Sequence, residues 1–364
     1  MATCKYCGLS AGMFSHAHNE CEEKHQQGLS QLEQILQQYF AGSQSVASMR
    51  QAIVNLRKPT FLKKEDVEQC AIKVLDNHGE QLRPPYNQKT LDKINDFIVG
   101  LGLDRQNLTN SGCLNKLGEK ILRGYLASYF VSGTSISTIR GQEQLLDQVL
   151  PTSQEQKFNA YMHVLNRAAH NFLSNGLISD SEQQQIEQFA QSLSLPLYNL
   201  PVQYQGTDIE KVNQAIIIKN LQRGILPQSG IALPVLLGKS ESVLWVYNNV
   251  TYYQEKIERE YKHNSGGFSF RVMKGVYYRT GSGRSRPIEH SVMNNEGVGN
   301  LIVTNKNIIF YAQTKSVKIP FKKIIGVTPY SDGLEVHKDG NSKRMVFQGF
   351  DCWFVMNILS FVND

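Results

Sequence analysis

From about residue 22 to 226, apolar positions recur at intervals of three and four, with little of the every-second-residue alternation that marks strands. In LSQLEQILQQYF, residues Leu29, Leu32, Ile35, Leu36 and Phe40 form one stripe of an amphipathic helix. Pro84 and Pro85 break the run, and Asn87 is placed to cap the next helix. Ser179 and Glu182 spell a capping box for another. Beyond about residue 231 the period changes. SVLWVYNNVTYYQEKIERE and FSFRVMKGVYYRTG are rich in β-branched and aromatic residues, and NLIVTNKNIIFYAQ predicts two strands around a turn at Asn305 to Asn307. More strands follow through SVKIPFKKIIGVTPYSDGLEVHKDG and KRMVFQGF, and GFDCWFVMNILSFVN closes the chain as a helix with Asp351 near its start. The fold class expected is therefore multidomain α + β: a helical domain, then many short strands in a small β-barrel or sandwich whose open end the last helix covers.

Two helical segments match at an offset of 92. INDFIVGLGLDRQNL and IEQFAQSLSLPLYNL pair Ile94 with Ile186, Phe97 with Phe189, Leu101 with Leu193, Leu103 with Leu195, Asn107 with Asn199 and Leu108 with Leu200. This predicts an internal duplication over about 60–110 and 152–202.

A chain of 364 residues is long enough for two or three domains, and no apolar run reaches the length of a transmembrane helix. The opening residues lack the pattern of a secretory signal, and Cys70, Cys113 and Cys352 are spaced too widely for a disulfide framework. A cytoplasmic protein is expected. The net charge of +6 lies wholly beyond residue 230, where 17 Lys and Arg face 11 Asp and Glu. Such a domain attracts anionic partners.

The densest chemistry is at the start. CKYCGLSAGMFSHAHNEC holds three cysteines and two histidines within residues 4 to 21. Tetrahedral zinc takes four thiolate or imidazole donors in two close-set pairs. Cys4 and Cys7 make one pair, with Gly8 easing the turn, and His18 and Cys21, three apart on a helix capped by Ser15, make the other. His16 and His25 are the rival ligands. Three thiolates and one imidazole fill every position, which describes a structural site and not a catalytic one. The stretch resembles the zinc-knuckle module that begins many bacterial proteins, C-x2-C-G followed by F-S-x-x-H-x-x-C. Phe14 and Ser15 fit that pattern along with the four ligands.

FLSNGLISDSEQQQIEQFAQSLSLP resembles the turn and helix of TerB-like helical domains, without the acidic set that binds a divalent ion in them. GVGNLIVTNKNIIFYAQTKSVKIPFKKIIGVTPYSDGLEV resembles the GRAM domain, a pleckstrin-homology-like fold, through Gly299, Leu301, Thr304, Phe310 and the segment Ile324 to Val327. These resemblances imply a bacterial protein with a zinc knuckle at 1–25, a helical domain at 26–228 and a GRAM/PH-like domain at 231–364. Domains of the last kind bind phosphoinositides in some proteins and peptides or other domains in others.

A phosphoinositide site needs converging cations. Arg279, Arg284 and Arg286 flank the glycines of GSGRSR, and Lys322 and Lys323 form a second basic pair. No phosphate-binding glycine loop, nucleophile elbow or H-E-x-x-H motif is written in the chain. His163 and His170, seven apart on a helix, have no cysteine or acid at ligand spacing. The expectation is a non-catalytic binding or scaffold protein, acting in bacterial stress or phage defence, with structural zinc as cofactor. A protein partner is expected first, then an anionic membrane surface met peripherally. The alternatives are nucleic-acid binding through the knuckle and the basic C-terminal face, which acidic Glu20, Glu22 and Glu23 weaken, and an enzyme with an unrecognised site in the helical domain.

Overall fold

The computed structural model describes residues 2–11, 16–174, 178–197, 200–227, 233–262, 268–273, 276–280, 286–340 and 343–363; for residues 257–290 and 362–363 the description is of the backbone. By compactness the chain divides into two units, Met1–Ala168 with Gln185–Leu195, and Ala169–Gln184 with Pro196–Asp364.

The first unit is helical. Its elements are α1 (Asn19–Phe40), α2 (Val46–Arg57), α3 (Lys64–Gln81), α4 (Gln88–Leu101), α5 (Arg105–Asn110), α6 (Cys113–Ser132), α7 (Ile136–Val149), most of α8 (Gln154–Ser174) and the later part of α9 (Asp180–Ser192). The starts follow from short polar side chains. Asn87 accepts from the Thr90 N–H at 3.2 Å, Ser45 from Ser48 at 3.2 Å and Ser135 from Thr138 at 3.2 Å. The box predicted for α9 forms, with Glu182 accepting the Ser179 N–H at 2.8 Å and Ser179 accepting the Glu182 N–H at 3.2 Å. The apolar stripes turn inward: Leu32, Leu36, Ile94, Phe97, Leu122, Leu126, Ile186 and Phe189 are all fully buried.

Among the described residues, the second unit combines α10 (Asp208–Gln222) with nine strands and α11 (Trp353–Asn363). Seven strands form one antiparallel sheet: β1 (Val243–Lys262), β4 (Arg286–Thr304), β5 (Asn307–Tyr311), β6 (Ser316–Pro320), β7 (Ile324–Tyr330), β8 (Gly333–Lys338) and β9 (Met345–Gln348), ordered β6-β5-β4-β1-β9-β8-β7. Two expectations are corrected here. The sheet is open, with β6 and β7 as its two edges, so the predicted barrel closure is absent from the described strand pairings. Alternation in sequence makes a strand but does not say which edges meet. The strands are also not uniformly short, since β1 runs 20 residues and β4 19, paired from Val243↔Thr304 to Lys262↔Arg286. FSFRVMKGVYYRTG, which falls between them, pairs with itself as β2 (Phe268–Met273) and β3 (Val276–Thr280), a two-stranded sheet apart from the seven among the described residues.

The residues that carried the GRAM resemblance have structural work. A side chain at Gly299 would bring its Cβ within 2.2 Å of the Tyr311 carbonyl on β5, so only glycine allows that approach. Thr304 is buried at the β4–β5 turn, where its hydroxyl accepts from the Asn307 N–H at 2.8 Å and donates to Glu241 at 2.9 Å. The Glu241 carboxylate also takes the Gly238 N–H and the Lys318 ammonium, each at 2.8 Å. Burial pushes its pKa up, but Lys318 and the surrounding donors outweigh that and hold it down at about 2.

Helix α10 is fastened to β1 by a buried polar chain. Trp245 Nε1 donates to Glu210 at 3.0 Å, and Gln214 Nε2 reaches Glu210 at 3.2 Å and the Tyr247 hydroxyl at 3.0 Å. Helix α11 buries Phe354, Val355, Ile358 and Leu359.

Candidate metal centre

Residues 2 to 11 fold into a tight hairpin. Thr3 bridges Ser10, Cys4 N–H donates to the Leu9 carbonyl at 2.7 Å, and Gly8 turns the chain at φ +76°. The Gly8 N–H returns to the Cys4 carbonyl at 2.9 Å, which sets Cys4 and Cys7 on one side of the knuckle.

The partner pair is arranged differently from the sequence expectation. Helix α1 begins at Asn19, and His18 sits before it in extended conformation, at φ −82° and ψ 141°, as the N-cap residue. Ser15, expected as the cap, lies outside the described residues. His18 and Cys21 therefore do not share a helical face. The cap position instead frees the imidazole to swing toward the sulfurs, while the His18 carbonyl accepts from the Cys21 and Glu22 N–H groups, both at 3.0 Å.

The four candidate atoms of Cys4, Cys7, His18 and Cys21 all lie within 4.8 Å of one another. They are close enough to bind a metal ion. His18 Nδ1 stands 3.4 Å from Cys7 Sγ and 3.7 Å from Cys21 Sγ. A tetrahedron with metal–sulfur bonds of about 2.3 Å and metal–nitrogen bonds of about 2.0–2.1 Å has edges of roughly 3.5–3.8 Å. The spacing fits. At the other end of the ring, Nε2 donates to the Ser10 carbonyl at 3.0 Å. That bond places the proton on Nε2 and leaves the Nδ1 lone pair facing the sulfurs, the tautomer a ligand requires. The thiols also compete for charge. Backbone N–H groups of Cys7, His18 and Tyr6 overcome the effect of burial and lower Cys4 to about 6, whereas burial and the neighbouring Cys7 and Cys4 raise Cys21 to about 11. A cation at the centre would relieve that competition.

The rival ligands have other places. His16 is exposed, and its carbonyl accepts from the Lys5 N–H at 2.9 Å. His25 is buried, packed against the Tyr6 ring at 4.7 Å with Asp66 3.8 Å away. It joins the knuckle to α3, a role that spacing alone could not reveal. The Ser10 carbonyl was equally illegible, because every residue type offers one.

The basic candidates are scattered over several elements. Arg279 lies in β3 opposite Ser269, Arg286 opens β4 opposite Lys262, and Arg284 lies outside the described residues. Lys322 and Lys323 are exposed side by side on the 3-10 turn Phe321–Lys323. His163 is exposed, and exposed His170 is bonded to Asp208 at 2.8 Å. Among the described residues no helix is long and apolar enough to cross a membrane.

No family model matches the chain, and no curated protein matches it. One solved structure is matched, that of the study "Critical structural role for the PH and C1 domains of the Vav1 exchange factor". The match spans 94% of this chain and 83% of that one at 9% identity, with a TM-score of 0.15. A likeness at that score carries no structural argument.

Proposed function

We propose that this chain is a non-catalytic binding or scaffold protein in which a structural zinc ion organises the N-terminus. The C-terminal sheet unit then acts as a GRAM/PH-like recruitment domain for a protein partner or an anionic membrane surface. The observation that carries this reading is the donor set: three sulfurs and one imidazole whose Nε2 is spent on the Ser10 carbonyl lie within 4.8 Å of one another, enough donors to fill a four-coordinate structural zinc site. The meandering sheet followed by α11, and the structural roles of Gly299 and Thr304, support the GRAM/PH-like assignment. The paired construction of the helices α1–α4 and α6–α9 supports a duplicated helical unit. The positive charge of residues 231–364 supports an acidic counterpart.

Flotation of the full chain with vesicles, with and without anionic lipid and across a salt series, tests the membrane half of this reading. Binding should require anionic lipid, weaken as salt rises, and fall in Lys322→Ala/Lys323→Ala or Arg284→Ala/Arg286→Ala. No binding at low salt would remove the membrane as the target and leave a protein partner.

A further inference from the structure

The second unit carries a groove of about 770 Å³ that the metal centre does not use. One face of α10 forms its floor, with Lys211, Ala215 and Ile218 at helical spacing. Trp353 of α11, Leu173, Ile178 and the Asp351 carboxylate also line it. That volume lies within the roughly 300–1,000 Å³ of small-molecule sites, and the lining has their character, an apolar body with a few polar groups. From Lys211 to Gln222 the floor runs roughly 16 Å along the helix. Trp353 is 45% exposed above it, a large ring that the fold itself does not cover.

The cations at the groove are unequal. Lys219 is held by Asp180 at 2.5 Å and by the Ile178 carbonyl at 3.0 Å, and Asp180 also takes Arg223 at 2.9 Å. Lys211 is exposed, and its ion pair with Asp351 is long, at 3.9 Å. An anion arriving at Lys211 displaces little, whereas one arriving at Lys219 must break a formed cluster.

We infer that this groove binds a free single-chain amphiphile with one anionic head, its chain laid over Ala215 and Ile218 beside Trp353 and its carboxylate or phosphate at Lys211. The apolar floor supplies the affinity, and Lys211 selects the charged head.

The test titrates the full chain with dodecanoate below its micellar concentration and follows tryptophan emission. The other tryptophan, Trp245, is 2% exposed, so a signal lost in Trp353→Phe belongs to the groove. A saturable one-to-one change is expected, weakened about tenfold or more in Ala215→Phe, which fills the floor. Lys211→Ala should weaken dodecanoate about three- to tenfold and leave dodecanol unchanged. Because Lys211 is exposed, that variant keeps the test decisive if Ala215→Phe does not fold. Absence of saturable binding overturns the inference. So does equal loss of acid and alcohol in Lys211→Ala, or a signal that appears only with phospholipid vesicles.

Discussion

Two stretches of the helical region are built alike and finished differently. In α1–α4, Gly28 lies against Thr60, Tyr39 and Phe40 close on Phe97 at 5.6 and 4.6 Å, and the last helix ends on Gly102 at φ +59°. In α6–α9, Gly118 lies against Thr152, and Tyr129 and Phe130 close on Phe189 at 5.3 and 4.8 Å. The last helix there ends on Ser194 at φ +54°. The finishing N–H bonds correspond as well, Leu103 to Ile98 at 3.1 Å and Leu195 to Ala190 at 2.8 Å. The differences lie in what was added. The first stretch is preceded by the knuckle, whose Cys21 stands in the first turn of α1. Where α2 buries Ile53, α7 buries Glu143, bonded to Tyr161 at 2.9 Å and to Lys157 at 2.8 Å. A glycine–threonine contact and an aromatic triad thus recur in both stretches, and the position between them takes either an apolar or an ionic side chain.

The largest effect should come from the feature found in one stretch alone. Removing the metal by chelation, or its site by Cys21→Ser, should cost the α1 amides at least about 2 kcal/mol of hydrogen-exchange protection, because ligand binding is folding energy for so small a hairpin. The amides of α6 should be unchanged. The same preparation should contain one zinc per chain before treatment. Equal loosening of α1 and α6 would mean that the knuckle is not a local clamp.

A smaller asymmetry concerns His78, which stacks on Phe40 with ring centroids 3.9 Å apart. Burial, then the charges of Lys93 and Lys120, lowers its pKa to about 4. The unfolded chain, with an ordinary histidine pKa of about 6.5, takes up a proton that the folded chain refuses. Stability from this residue is therefore full above about pH 6.5 and lost as the pH falls toward 4, by on the order of 1–3 kcal/mol. His78→Phe should flatten that part of the urea-unfolding profile. A slope unchanged by the substitution would place the proton elsewhere. Position 170, at the same offset of 92, holds an exposed histidine paired with Asp208.

Part of this frame is written plainly in the sequence, although the expected repeat bounds of about 60–110 and 152–202 leave out α1, α2, α6 and α7, and the rest was hidden for definite reasons. The offset of 92 links α4 to α9, and the sequence displays it. The first two helices of each stretch match at an offset of 90, as in Leu32 with Leu122, Leu36 with Leu126, Tyr39 with Tyr129, Phe40 with Phe130 and Ser45 with Ser135. Helix α7 is 14 residues long against 12 in α2, and those two residues shift the register, so no single offset finds both halves. The four candidate donors were legible because coordination demands side chains of particular types. The groove over α10 was not, because Leu173, Ala215 and Trp353 are far apart in sequence and chemically ordinary.

The smallest prediction tests whether the two helix ends are the same motif. The left-handed conformation suits glycine and strains a residue with a Cβ. Gly102 has no atom within 4 Å of a built Cβ, so Gly102→Ala should cost only the conformational penalty, about 1 kcal/mol. Ser194 already bears that strain, and Ser194→Gly should return about 0.5–1 kcal/mol, less what the freer unfolded glycine takes back. Opposite signs of similar size in chemical denaturation would show one cap geometry with two occupants. Destabilisation by Ser194→Gly would mean that the serine makes compensating interactions at its end of α9, and that the correspondence of the two stretches stops short of their last residues.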